Sequence, residues 1–145
     1  MGRLTATIAL LVITSGAFSA SPVWIEVAAD QKVHVFVDAS NVRPRKNHLS
    51  AWVMYEYIEA QKYVEGESTR EYRSSLDLDA FDCSRRRSAT MSKTLYSLPS
   101  GGGGAFGKLD VEADHLDWRR PGSRTLRAAT LKFVCDLAKP KRRQS

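Results

Sequence analysis

The chain has 145 residues, with 22 Lys and Arg against 16 Asp and Glu, and 43% hydrophobic residues. That composition is too apolar for a disordered tail and too evenly polar for a membrane-embedded protein. Its 2 cysteines rule out a disulfide-dense miniature scaffold.

The first 20 residues read as a secretory leader. Arg3 supplies the basic start, Leu4 to Ile13 (LTATIALLVI) the apolar stretch, and Thr14 to Ala20 (TSGAFSA) the small residues before cleavage. Ser15-Gly16-Ala17 and Ala17-Phe18-Ser19 both satisfy a small-x-small rule, and Ala20 is a third option that puts bulky Phe18 at the minus-three position. The apolar run is shorter than the roughly 20 residues a spanning helix needs. No cysteine lies near the cleavage region, so lipid attachment there is not expected, and no other segment suits a membrane span. The expected division is a signal peptide at 1–20, one domain at 21–138, and a basic tail at 139–145. Removing the leader takes away one Arg and no acid, so the mature charge is 21 minus 16, or +5.

Export places Cys83 and Cys135 in an oxidising compartment. Two cysteines without nearby histidines make a poor zinc site, and the absence of C-x-x-C argues against a thioredoxin-type role. A structural disulfide is the expected reading, with free thiols or a metal pair as the alternatives. Such a bond would close a loop of about 50 residues.

In chain order, Val23–Val27 and Val33–Asp38 read as strands around a turn at Ala29–Lys32. Ser40 to Asn47 is a polar loop containing Pro44. Leu49–Ile58 is a longer strand with large apolar groups on both faces, as in a central strand. Gln61 to Thr69 reads as a connection around Gly66. Tyr72–Cys83 is the next strand, with Leu76 and Leu78 on one parity, Asp77 and Asp79 on the other, and Phe81 out of phase with the leucines; a bulge near Ala80 would return Phe81 to the core. Arg86–Tyr96 follows, with a Ser/Thr face (Ser88, Thr90, Ser92, Thr94) expected to be solvated. Gly101–Gly104 is a flexible loop, and Ala105–Glu112 a sixth strand. Ser123 then suits an N-cap, and Leu126, Thr130, Phe133, Val134 and Leu137 lie at i, i+4, i+7, i+8 and i+11 on one face of a helix. Strands at hairpin spacing followed by one helix predict an α+β fold: an antiparallel sheet of about six strands packed on a C-terminal helix, with one disulfide.

The chemistry-bearing residues point away from an enzyme. His34, His48 and His115 have no metal-ligand spacing, so no metal site is expected. Asp77 and Asp79 read as a solvated acidic face rather than a catalytic pair. No nucleophile elbow, zinc, Walker or dinucleotide pattern is present, and no cofactor is expected. Trp24, Phe36, Trp52, Tyr55, Tyr57, Phe81 and Phe133 are the expected core aromatics; Tyr63, Tyr72, Tyr96 and Trp118 are candidates for exposure. Trp118 beside Arg119 and Arg120 has the make-up of a protein-contact anchor, or else folds back over the start of the helix. The triplet Arg85, Arg86 and Arg87 is a second candidate contact, and reads first as a solvated turn. The basic charge suits nucleic acid, but an exported protein does not meet it.

Trp24, Val35-Phe36-Val37-Asp38-Ala39-Ser40, Trp52-Val53, Tyr72-Arg73-Ser74-Ser75, Phe81-Asp82-Cys83 and Cys135 stand in an order that resembles the surface-adhesin protein E family of proteobacterial exported proteins. The resemblance spans roughly Val23 to Cys135. It implies an antiparallel sheet of about six strands with a packed helix joined to it by a disulfide. It also implies a non-enzymatic binding module that contacts a host matrix or envelope protein. The family's namesake is an outer-membrane lipoprotein, whereas this chain has no lipobox cysteine, so a periplasmic or secreted location stands beside a surface one. The alternative expectation is a soluble periplasmic carrier of a small ligand such as haem, with His34 or His115 as axial ligand. A homodimer through a sheet edge or the Trp52/Met54 face fits either reading.

Overall fold

A computed structural model describes residues 21–140; the stretch read as a leader, 1–20, and residues 141–145 of the expected basic tail lie outside the described residues. Seven strands run antiparallel in one sheet: β1 (Trp24–Ala29), β2 (Val33–Asp38), β3 (Arg43–Pro44), β4 (Leu49–Glu65), β5 (Ser68–Asp82), β6 (Arg87–Tyr96) and β7 (Ala105–Asp110). Their spatial order is β1-β2-β4-β5-β6-β7, with the short β3 on β4 beyond the end of β2. The helix α1 (Leu126–Leu137) lies across one face, and Cys83–Cys135 joins it to the end of β5. This is the α+β arrangement that the residue pattern predicts.

The core forms where α1 meets the central strands. Val35, Val37, Ala51, Val53 and Phe81 from the sheet meet Leu131 and Val134 from the helix. Each such side chain contributes about 1.5–3 kcal/mol by leaving water. Between β2 and β3, buried Asp38 organises the corner. Its Oδ1 accepts from the N–H of Val23 at 3.0 Å, the N–H of Ser40 at 3.1 Å and the Ser40 hydroxyl at 2.6 Å.

Several expectations change. The helix begins at Leu126 because Thr125, not Ser123, is its N-cap, accepting from the Ala128 N–H at 3.2 Å. Its buried face runs through Leu126, Thr130, Leu131 and Val134, while Leu137 is 45% exposed. Leu131 and Cys135 are four residues apart and share a face. The bond to Cys83 therefore rolls the helix toward Leu131 and away from Leu137.

Phe81 is buried on the parity of Asp77 and Asp79, facing α1, and needs no bulge at Ala80 to reach the core. The leucines Leu76 and Leu78 instead sit with Trp52 and Met54 on the other face. The irregularity lies in the pairing of β5 with β6 between Leu78 and Asp79, where Met91 is the extra residue. It rotates the two halves of β6 relative to each other, so the Ser/Thr face is split: Ser88 is 1% exposed opposite Phe81, while Ser92 and Thr94 pair with Leu78 and Leu76. Trp24, Phe36, Trp52, Tyr55, Tyr57 and Phe133 are half-buried rather than core.

The stretch read as a loop at Gln61–Thr69 is strand. β4 and β5 continue past the sheet as a hairpin arm that turns at Gly66–Glu67, and Gly66 has φ of 60°. Pairing breaks between Glu56 and Gln61, where four β4 residues stand opposite Arg73. The Arg73 guanidinium fills that gap, donating to the carbonyls of Tyr57 at 3.2 Å and Ile58 at 2.9 Å. The arm then bends toward β7. Tyr63 meets the Phe106 ring at 6.1 Å, and the Arg70 guanidinium lies 4.2 Å from the same ring centre. Gly107 permits this approach: its φ is 57°, and a Cβ there would lie 3.0 Å from Leu95 Cδ1 and 3.2 Å from Tyr63 Cε1. Gly107→Ala is expected to cost about 1–2 kcal/mol from the left-handed backbone alone. Hydrogen exchange should show the arm opening before the rest of the sheet.

Candidate functional site

An open groove of about 1610 Å³ runs between α1 and the ends of β4 and β5 where the disulfide sits. Val27, Ala28, Leu49, Phe81, Leu126 and Leu131 give it an apolar floor. Seven cations line it against two acids, Asp82 and Asp136. Both acids are already engaged. Asp136 is held by Lys132 and by Lys139 at 2.6 Å. Arg45, Lys46, Arg86, Arg120 and Arg124 have no acidic partner among the described residues.

Asp82 fixes the turn that follows β5. It is 3% exposed and accepts from the Ser84 hydroxyl at 2.8 Å, the Arg85 N–H at 3.1 Å, Arg87 Nε at 3.0 Å and Arg85 Nη1 at 3.3 Å. Burial works to raise its pKa, but these donors outweigh burial and hold the carboxyl at about 2. The arginine triplet is thereby divided. Arg85 and Arg87 turn onto Asp82, whereas Arg86, in the left-handed region at φ of 53°, lines the groove.

Trp118 folds inward. The Arg87 guanidinium lies 4.8 Å from its ring centre, and His48 meets it edge-on at 5.7 Å. Burial, then the Arg45 charge, lower the pKa of His48. Arg119 exchanges two 3.0 Å backbone hydrogen bonds with Ser88, and its side chain donates to Asp117 at 2.7 Å. Arg120, the next residue, lines the groove. Of the six contact residues expected from the sequence, Arg86 and Arg120 thus meet in the groove. Trp118, Arg85 and Arg87 brace its rim, and Arg119 points to Asp117. The composition-based reading missed Arg45 and Lys46, which it placed in a polar loop, and Arg124 at the helix start. Their charges were visible; what joins them is the sheet topology.

A second cluster of charges lies on the sheet under the start of α1. Asp77 and Asp79 are 2% and 3% exposed, not a solvated face. Asp77 Oδ2 pairs with Lys93 across β5–β6 at 3.1 Å, while Oδ1 of both aspartates and the Ser75 hydroxyl have no hydrogen-bond partner among the described residues. Burial raises Asp77. Burial and then the Asp77 charge push Asp79 up to about 6. Burial also pushes the adjacent Tyr55 phenol up. Arg127 reaches over from α1, donating to the Ser88 hydroxyl at 3.4 Å.

The histidines stay apart. His34 bonds Glu26 at 3.1 Å and stacks on Phe36, His48 packs on Trp118, and His115 sits among Glu112 and Asp114 on the surface. Among the described residues, no helix is long and apolar enough to cross a membrane.

Two crystal forms of Haemophilus influenzae protein E share this fold. One is 12% identical, covering 78% of this chain and 83% of its own, with a TM-score of 0.56. The other is 11% identical, covering 81% and 97%, with a TM-score of 0.54. No curated protein matches the chain. The family model for surface-adhesin protein E matches residues 24–136, nearly the whole of the described sheet and helix. The chain therefore belongs to the surface-adhesin protein E family.

Proposed function

We propose that this protein is an exported, non-enzymatic binding module that holds an acidic segment of an envelope or host protein in the groove beside its disulfide. The observation that carries the reading is the set of five groove cations without acidic partners, ringed around an apolar floor. A folded protein pairs or solvates its surface charges singly; a one-signed rim around an apolar floor suits a partner of opposite sign with apolar anchors. The groove exceeds the roughly 300–1,000 Å³ of small-molecule pockets, which favours a peptide segment.

The test uses a labelled Asp/Glu-rich peptide of about 12 residues with two or three leucines. It is expected to bind saturably at low salt and to weaken at least about tenfold at 0.5 M salt, where screening shortens to a few ångströms. Arg86→Glu/Arg120→Glu should remove binding, and Lys108→Glu, on β7, should not. Binding that ignores both salt and the groove pair would end this reading.

A further inference from the structure

We infer that the acidic hairpin arm of one copy seats in the basic groove of another, so that the protein assembles head to tail. This inference rests on the groove reading above and names a second occupant for the same surface.

Apart from the side-chain packing of Tyr63 and Arg70 on β7, the arm has no flanking strand within its own chain. β2 stops pairing with β4 at Tyr57, and β6 stops pairing with β5 at Ser74. Beyond those points the ribbon has only its own two strands, from Gln61–Tyr72 to Glu65–Ser68. Unpaired strand edges are templates for association. The stretch 59–71 holds Glu59, Glu65, Glu67 and Glu71 against Lys62 and Arg70, four acids minus two bases, and Arg70 is turned inward onto Phe106. None of the four glutamates is in an ion pair among the described residues. Val64, one residue before Glu65, is 65% exposed. An acidic tip carrying an apolar knob thus matches a groove with a basic rim and an apolar floor.

The two surfaces cannot meet within one chain. They lie at opposite ends of the same strand pair: Leu49 and Phe81 pair at the groove, Glu65 and Ser68 at the tip. At about 3.3 Å per residue the strand spans roughly 50 Å between them. Contact must therefore be between copies, and because tip and groove are different surfaces the contact is heterologous, giving chains or closed rings rather than a two-fold dimer.

Sedimentation of the mature chain should show species larger than a dimer at low salt and high protein concentration, reverting to monomer at 0.5 M salt, where screening acts over only a few ångströms. Glu65→Lys/Glu67→Lys and Arg86→Glu/Arg120→Glu, each checked for its disulfide and unchanged melting, should each be monomeric under the same low-salt conditions. Mixing the two charge-swapped variants should restore assembly, since each then offers the other a complementary partner. A monomer at every concentration would overturn the inference. So would a salt-insensitive dimer untouched by either variant, the result expected for association through the Trp52 face. The arm variant should still bind the acidic peptide. If the parent protein binds the peptide but does not self-associate, this inference falls and the groove reading stands; if the groove variant keeps the peptide, the groove reading falls.

Discussion

A Cys83→Ala/Cys135→Ala variant is expected to lose about 4 kcal/mol of folding stability. The cysteines are 52 residues apart with Cα atoms at 5.7 Å, inside the normal range for a bridge. Closing a loop of that length in the unfolded chain accounts for the figure in the chain-entropy view. A domain of this size has a net stability of about 5–15 kcal/mol, so the loss is a large share of it. The effect is also local. Val134 and Leu131 are the helix residues packed in the core, and Cys135 sits beside them at the helix's last turns. Without the bridge, α1 is held by that contact, by half-buried Leu126 and Phe133 beside it, and by Arg127 on Ser88. Chemical denaturation should show the lower stability, and acidic-peptide binding should weaken because α1 is one wall of the groove. Cys83 is exposed, so a reductant should reproduce the variant. A variant within about 1 kcal/mol of the parent would show that packing alone seats the helix.

The second large effect concerns pH. Asp79 has its pKa raised from 3.8 to about 6, by burial first and by the Asp77 charge second. A raised carboxyl means that the folded state holds a proton the unfolded state has released. Stability from this group is therefore full below pH 4 and is lost as pH rises through about 6. Two pH units correspond to about 3 kcal/mol. Asp82, held at about 2, works in the opposite direction but only below pH 4, as it is protonated. His48, with its pKa lowered, also opposes Asp79 as pH falls below 6.5, so the parent curve alone would mix the two. Comparison with Asp79→Asn separates them. The variant is expected to match the parent near pH 4 and to exceed it by up to about 3 kcal/mol at pH 8. Parallel stability curves for the two proteins would show that Asp79 titrates normally.

Much of the fold was legible because the determinants are local. The valines of β2 alternate, Leu49–Ile58 is apolar on both faces, and Leu126, Thr130 and Val134 mark a helix. What was not legible depends on neighbours. The hairpin arm looked like a loop because Gln61–Thr69 is polar, and its polarity reflects strands that leave the sheet. Asp77 and Asp79 alternate as a solvated strand face would. Only the helix and the pairing with Lys93 show that this face is inside. The bulge at Met91 is silent in composition, yet it decides which of Ser88, Thr90, Ser92 and Thr94 meet the helix side. At the groove, Arg86 and Arg120 were named from their clusters, while Arg45, Lys46 and Arg124 come together only because β3, β5 and α1 converge at one end.

The strands lie side by side almost in the order in which they occur along the chain, with β3 as a short addition. Each strand that emerges from the N-terminal side onward thus finds its neighbour already waiting, and no earlier segment must be threaded past a later one. Cys83 must wait for Cys135, which arrives only when the sheet is complete. Oxidation of that pair is therefore a chemical record that every strand of the sheet has been delivered ahead of the helix.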